Sequence, residues 1–323
     1  MKSAIIGFGV IGKVHTEIMT GLGARLCICD TSEKARMEAE KLYPDATVYE
    51  DYQRMIEMEK PQTVHICTPH YLHAEMIVYA LKKGCNVLSE KPMCIRTEEI
   101  LEICEAAAES GKQFGVCQQN RYNASSLFAK EYLKNKSVDG VYATVVWNRD
   151  REYYASGAWR GKQATEGGGV LINQALHTLD MVEWLTGMPK FVTATIENYH
   201  LKDSIEVEDT AALLLEGGSC PVAFYATTAA SVDFPVQIIL QVEGKRVEIL
   251  PFEVLENEKV IFSDSEHSVY VKNCYGGGHG RLISDFYDCV ETGRRFSIGA
   301  EEAAKVVSTI LAAYASNGKK LKV

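Results

Sequence analysis

No stretch of this chain reaches the roughly eighteen consecutive apolar residues that a bilayer-spanning helix requires, so no membrane span is expected. Long basic runs are missing too, and a formal net charge of −9 makes nucleic acid and anionic membranes poor partners. Met1-Lys2 leads straight into an apolar strand with no signal peptide ahead of it, so the expected location is the cytoplasm. The ten cysteines include no CxxC. Cys27 and Cys29, the one close pair, share a strand face and read as small buried hydrophobes in a reducing compartment. His70 and His73 have no carboxylate or thiolate at matching spacing, so no metal is expected. Internal repeats and low complexity are absent, and 46% hydrophobic with 24% charged residues is ordinary for a globular protein. At 323 residues the chain exceeds one usual core, which implies two domains.

What is present at the N-terminus is a glycine fingerprint in a strand-turn-helix setting. Ser3-Ala4-Ile5-Ile6 reads as a strand, Gly7-Phe8-Gly9-Val10-Ile11-Gly12 as the turn, and the residues to Leu22 as a helix. Gly7 permits the tight turn, Gly9 a close approach to a pyrophosphate, and Gly12 close packing of helix on strand. A second strand, Arg25 to Cys29, runs into Asp30, eighteen residues beyond Gly12, where an acid can bind the adenosine ribose hydroxyls. Asp30 would repel a 2′-phosphate, and Thr31-Ser32-Glu33 offers no arginine to accept one. The expected cofactor is therefore NAD rather than NADP.

The spacing predicts strands near 2–6, 25–29, 63–67, 86–89 and 114–118 alternating with helices near 12–22, 32–42, 71–83 and 97–110, which is a parallel sheet with helical crossovers. A helix over 121–138 opens the second half. Strands follow over 140–149, 190–198, 209–216, 219–228, 235–242, 246–250 and 267–272, with closing helices over 281–292 and 300–316. The expected fold is α/β: a Rossmann dinucleotide-binding domain over 1–120, then an α+β domain over 121–323 with a large, mostly antiparallel open sheet.

Two places concentrate chemistry. Val87-Leu88-Ser89-Glu90-Lys91-Pro92 is a strand that delivers Lys91 to its carboxyl end, where open parallel sheets bind ligands; Pro92 restricts Lys91 to extended geometry, and an X-Pro bond is the usual place for a cis peptide. The second place is Glu166-Gly167-Gly168-Gly169, a flexible loop entering a helix on which Asn173, His177 and Asp180 would lie near one face. An imidazole there can take a hydroxyl proton as hydride leaves the same carbon.

These motifs occur together and in order. Gly7-x-Gly9-x-x-Gly12-x-x-His15, Thr68-Pro69-x-x-x-His73, Glu90-Lys91-Pro92, Asn120-Arg121-Tyr122, the glycine-rich segment with His177, and His279 make the chain resemble the Gfo/Idh/MocA oxidoreductases over nearly its whole length. The resemblance implies that Thr68, Pro69, His73, Glu90 and Lys91 join residues 7–12 and Asp30 around the cofactor. It also implies that Lys91 and His177 are the catalytic pair, and that Arg121, Asn173 and His279 border the substrate. Inositol dehydrogenase-like members carry an aspartate where this chain has Asn173, so Lys91 and His177 remain competing general bases. The segment from Arg149 to Arg160 resembles the family's pocket-lining loop, and Tyr154, Trp159 and Arg160 are its candidate substrate contacts. The expected activity is NAD-dependent hydride transfer from a secondary hydroxyl of a sugar, sugar derivative or cyclitol. The alternative is redox-neutral elimination or glycoside cleavage with retained NAD. The open sheet implies, by family analogy, a homodimer or homotetramer.

Overall fold

Strands buried on both faces are written as nearly unbroken apolar runs, and that is how the first sheet is built. The computed structural model describes residues 1–264 and 277–323. In it β1 (Lys2–Ile6), β2 (Arg25–Cys29), β3 (Thr47–Tyr49), β4 (Thr63–Ile66), β5 (Asn86–Ser89) and β6 (Phe114–Val116) form a six-stranded sheet in the order β3-β2-β1-β4-β5-β6. All five pairings are parallel. The crossovers are α1 (Val10–Gly21), α2 (Glu33–Leu42), α3 (Tyr52–Glu59), α4 (His73–Lys82) and α5 (Thr97–Ser110). The Ser32 and Asp51 side chains cap α2 and α3, and Gly84 and Gly111 turn left-handed at the ends of α4 and α5. The pair β3 and α3 is absent from the sequence expectation. Thr47-Val48-Tyr49 is a three-residue, partly exposed edge strand, too short to show a period.

The second half begins with a 3-10 turn over Gln119–Tyr122, not with a helix over 121–138. Asn123 is extended, α6 runs only from Ala124 to Tyr132, and a left-handed Asn135 ends the helical path before β7 (Val138–Val146). After the short α7 (Arg151–Ala155) and α8 (Gln163–Glu166) comes α9 (Leu176–Thr186), buried along its whole length except Trp184. The sheet is completed by β8 (Phe191–Glu197), β9 (Thr210–Glu216), β10 (Val222–Thr227), β11 (Gln237–Val242), β12 (Lys245–Ile249), β13 (Glu253–Glu256) and β14 (Lys259–Ser263). After α10 (Gly278–Thr292) and α11 (Ala300–Ser316), β15 (Leu321–Lys322) adds an edge. The order is β14-β13-β12-β11-β7-β10-β9-β8-β15, antiparallel except for β7 beside β10. The β13–β14 hairpin turns through Asn257 and Glu258, both left-handed, without the glycine that would have announced it. The strand expected over 267–272 lies outside the described residues.

The chain divides into two units, Met1–Cys117 with His279–Ala304, and Gln118–Gly278 with Lys305–Val323. Residues 279–304 thus return to the first unit, where the sequence reading ran the second domain on to 323. The Tyr287 hydroxyl donates to Ser3 Oγ at 2.8 Å, the Val116 N–H donates to the Ile298 carbonyl at 3.1 Å, and Phe296 lies so close to Gly115 that a Cβ there would come within 2.6 Å of its ring. Among the described residues no helix is long and apolar enough to cross a membrane.

Candidate active site

The fingerprint turn is shaped by contacts that exclude side chains. Gly7 has φ +92°, and a Cβ on it would meet the Cys67 carbonyl at 2.6 Å; one on Gly12 would meet the Gly7 carbonyl at 2.0 Å. Gly9 has nothing within 4 Å of its would-be Cβ, so what it keeps open is the solvent side. α1 begins there with no side-chain cap and no acid in its first turn, leaving its first N–H groups to an anion. Phe8 contributes backbone rather than ring: the ring is buried against Tyr43, while its N–H donates to Asp30 Oδ2 at 2.7 Å. Asp30 Oδ1 accepts from the Ser32 N–H at 2.8 Å, and the carboxylate retains lone pairs for two hydroxyls. Val10 projects into solvent and Ile11 is half-buried. These features fit the pyrophosphate and ribose of a dinucleotide. The sequence reading passed over Arg36. Its guanidinium donates to the carbonyls of Asp30 and Thr31 at 3.0 and 2.9 Å and pairs with Glu50.

The carboxyl ends of β4 and β5 carry the next group. Half-buried Thr68 and Pro69 follow β4, and the Thr68 hydroxyl points at Met76 Sδ, 3.5 Å away. His73 is fully buried and works as a clamp rather than as an exposed contact: its ring nitrogens lie 2.7 Å from the Pro92 carbonyl and 2.8 Å from the Thr68 carbonyl. It thereby ties the turn after β4 to the turn after β5. The Lys91–Pro92 peptide is cis. Lys91 is half-buried, whereas Glu90 beneath it is buried with His15, Cys117 and His279 around it. His15 Nε2, a Glu90 oxygen and the Cys117 thiol lie within 4.8 Å of one another, a closeness that hydrogen bonding among them accounts for. His279 is buried edge-on to His15 at 6.3 Å, and burial pushes its pKa down to about 4. It stands in the first unit's interior, where the sequence reading had it bordering a substrate.

In the second unit His177 occupies the first turn of α9, 6% exposed. The Gln119 amide donates to its Nε2 at 3.4 Å, which holds a lone pair on that nitrogen. Asn173 lies in the turn before α9 and not on its face, because its N–H bonds back to Gly169 and the helix starts at Leu176. Its side-chain amide donates to Glu166 Oε1 at 2.5 Å. Glu208 fixes the glycine-rich segment from behind: it accepts the N–H groups of Gly169 and Leu171 at 2.8 and 3.0 Å and the Tyr314 hydroxyl at 2.9 Å. Burial pushes its pKa up to about 7 against the pull of those donors. A Cβ on Gly169 would lie 1.9 Å from the Glu208 carbonyl, so the glycines serve packing here rather than looseness.

The adjacent tyrosines divide their roles differently from the sequence expectation. Tyr154 is buried with Leu201, Ile205 and Val207, its hydroxyl 3.3 Å from Thr228 Oγ1. Tyr153 carries the polar network: its oxygen accepts from Arg160 Nη1 at 2.6 Å and Gln174 Nε2 at 3.0 Å. The Arg160 guanidinium sits 4.5 Å from the ring centroids of both Tyr153 and Trp159. Arg121 is buried and double-bonded to Asp180, so it supports α9 instead of reaching outward. A cavity of about 40 Å³ at His177 is lined by both polar side chains, Asn120, Asn123, Ser126 and Gln174 among them, and apolar ones such as Trp147, Met181, Ile238 and Leu250. The amide oxygens of Asn120, Asn123 and Gln174 have no hydrogen-bond partner among the described residues. Nothing in the sequence marked Gln119 or Glu208; Glu166 stood in the glycine motif without an assigned role, and no periodicity tells which tyrosine of a pair faces inward.

Residues 1–118 match the Gfo/Idh/MocA family described as "Oxidoreductase family, NAD-binding Rossmann fold", and residues 129–249 match the "GFO/IDH/MocA C-terminal domain". Among curated relatives, the D-glucoside 3-dehydrogenase of Escherichia coli K12 is 24% identical over 92% of this chain and 97% of its own. The scyllo-inositol 2-dehydrogenase (NADP(+)) of Bacillus subtilis is 24% identical over 99% and 94%. Among solved structures, the WlbA dehydrogenase of Chromobacterium violaceum in complex with NADH and UDP-GlcNAcA superposes with a TM-score of 0.88 at 25% identity, covering 100% of this chain and 96% of that one. A levoglucosan dehydrogenase shares the fold with a TM-score of 0.86 at 19% identity, over 100% and 99%.

Proposed function

Because the chain belongs to the Gfo/Idh/MocA oxidoreductases, whose N-terminal domain binds NAD, we propose that it oxidises a secondary hydroxyl of a sugar, sugar derivative or cyclitol. The observation that carries the reading is the uncapped start of α1 with Asp30 beside it at the end of β2, and Lys91 just past the end of β5, on the same edge of one parallel sheet. When bound, the nicotinamide supplies the hydride acceptor. The chain's residues then have three tasks. Residues 7–12 hold the pyrophosphate by backbone N–H groups, and Asp30 accepts from the ribose hydroxyls. Lys91 and His177 are the two candidates for the group that takes the proton of the reacting hydroxyl. The amide oxygens of Asn120, Asn123 and Gln174 at the His177 cavity are acceptors that suit hydroxyl donors of a substrate.

NAD is preferred over NADP on this reading, since Asp30 opposes a 2′-phosphate and Arg36 is committed to carbonyls and Glu50. The substrate class draws on the relatives' names, which include a glucoside, an inositol and a nucleotide sugar. A homo-oligomer through the sheet's outer face is supported by Tyr142, Leu214 and Tyr225, which project from it into solvent.

The test follows absorbance of reduced nicotinamide while the protein and NAD are screened against inositols, hexoses, glycosides, sugar acids and nucleotide sugars. Reduction with one class, together with a drop of about 10²–10⁴-fold in kcat for His177→Ala at nearly unchanged NAD affinity, is expected. Product without accumulating NADH, or unchanged turnover in the variant, would overturn the assignment.

A further inference from the structure

The second unit fixes an arginine in place and sets no carboxylate against it. Arg160 closes a tight turn, its backbone N–H donating to the Gly157 carbonyl at 3.0 Å. Gly157 makes room for what folds back over it: a Cβ there would lie 3.1 Å from Trp159 Nε1 and 3.7 Å from Arg160 Cγ. The guanidinium is held 4.5 Å from the ring centroids of both Trp159 and Tyr153, so a side chain with several freely turning bonds is ordered before any ligand arrives. Contact with rings occupies the face of the group and spares its N–H edge. Of its five side-chain N–H groups one meets an acceptor among the described residues, through Nη1 to the Tyr153 oxygen at 2.6 Å. Nearby charges are spent elsewhere: Arg121 is paired with Asp180 and Arg149 with Asp233, and the buried Glu166 accepts from the Gly161 N–H and the Asn173 amide. Among the described residues no carboxylate is paired with Arg160. The Tyr153 oxygen that receives Arg160 also receives Gln174 Nε2 at 3.0 Å, and Gln174 lines the His177 cavity. Two hydrogen bonds meeting at one phenol oxygen thus separate the guanidinium from a residue of that cavity, a span that a single substituent on a bound ring covers.

We propose that Arg160 is an anion subsite of the substrate pocket, its remaining N–H groups forking onto a carboxylate or phosphate carried by the sugar, so that the preferred substrate is a sugar acid or a phosphate-bearing sugar, a nucleotide sugar included, and not a neutral hexose or inositol. Both anions offer the paired oxygens that a planar guanidinium fork meets. The amide oxygens of Asn120, Asn123 and Gln174 serve hydroxyl donors and give an anion nothing, which leaves the charge to Arg160. The inference rests on the reading of the His177 cavity as the place where a sugar binds.

The first test needs neither turnover nor a variant. Modification of arginines by phenylglyoxal is followed by peptide mass spectrometry in the unsubstituted protein, with acetate or inorganic phosphate replacing chloride at constant ionic strength. At least one of the two anions is expected to slow modification of Arg160 about threefold, the effect of about two-thirds occupancy, while exposed Arg151 reacts at an unchanged rate. Protection by acetate alone assigns a carboxylate and by phosphate alone a phosphate; protection by neither, or equal protection of Arg151, would overturn the proposal. In the sugar screen the preferred substrate is then expected to be anionic, and Arg160→Gln to lower its kcat/KM about tenfold more than that of its neutral counterpart. A neutral sugar preferred over its acidic and phosphorylated counterparts also overturns it. A screen silent on every sugar, with Arg160 protected, strikes the proposed function and leaves the anion subsite standing.

Discussion

Arg121 and Asp180 are joined by two parallel hydrogen bonds in the interior of the second unit, Nε to Oδ2 at 2.8 Å and Nη2 to Oδ1 at 2.6 Å. The pair locks the 3-10 turn over Gln119–Tyr122 to α9, and therefore Gln119 to His177. Breaking one side leaves the other charge buried. Asp180→Asn is expected to lower unfolding free energy by about 3–5 kcal/mol in urea titrations, and Arg121→Lys to rescue little, because an ammonium cannot reproduce the fork. A variant of either residue that kept full stability and only raised KM would return Arg121 to the substrate.

The neighbouring tyrosines should separate in kinetics. Tyr153→Phe removes the oxygen that anchors Arg160 and Gln174, and a KM for the sugar raised about tenfold is expected, the equivalent of one lost hydrogen bond of ~1.4 kcal/mol. Tyr154→Phe should cost about 1 kcal/mol of stability and leave KM unchanged, since among the described residues its hydroxyl meets Thr228 in a packed cluster. Steady-state kinetics beside thermal melts decide between the two.

Glu183 gives the fold a pH dependence of known sign. Burial, then the nearby Asp180 charge, outweigh Thr309, Arg121 and Lys305 and push its pKa up to about 8 from 4.5. The folded carboxyl keeps its proton at neutral pH while the unfolded one has lost it. Between about 4.5 and about 8 the unfolded chain binds fewer protons, so this group's contribution to stability falls as pH rises through that window and levels off above it. Glu183→Gln should remove the slope and raise Tm most at the alkaline end. Parallel slopes in variant and unsubstituted protein would show that Glu183 ionises freely.

Asp30→Asn tests the cofactor preference. The amide keeps the size of the side chain and loses the charge, and the ratio of kcat/KM for NAD over NADP is expected to fall by about tenfold, with part of the loss coming from the Phe8 N–H it no longer holds as an anion. An unchanged ratio would mean that the discrimination lies elsewhere.

Legibility followed how local each cause is. The five strands expected in the first sheet and Asp30 were readable because fully buried parallel strands and a glycine turn write themselves into adjacent residues. The place of Lys91 was readable because an apolar strand leads straight into Glu90-Lys91-Pro92, whereas the chain's other Glu-Lys-Pro, Glu59-Lys60-Pro61, ends a helix. What stayed hidden depends on distant partners. Tyr153 differs from Tyr154 only in what Arg160, Gln174 and Val207 do to each. Glu208 matters because it reaches back some forty residues to Gly169 and Leu171. His73 and His279 carry family-like spacing, yet a motif cannot say whether a ring faces a crevice or the interior beneath it, and here both are buried.

The return of residues 279–304 to the first unit also sets a timetable for synthesis. Ser3 and Gly115 are among the unit's core, yet Tyr287 and Phe296, which close over them, leave the ribosome only after almost all of the other unit's sheet has emerged. The nucleotide-binding unit, first in sequence, is therefore among the last to be complete, and its exposed parallel strands must wait, in need of shielding, for the far end of the message.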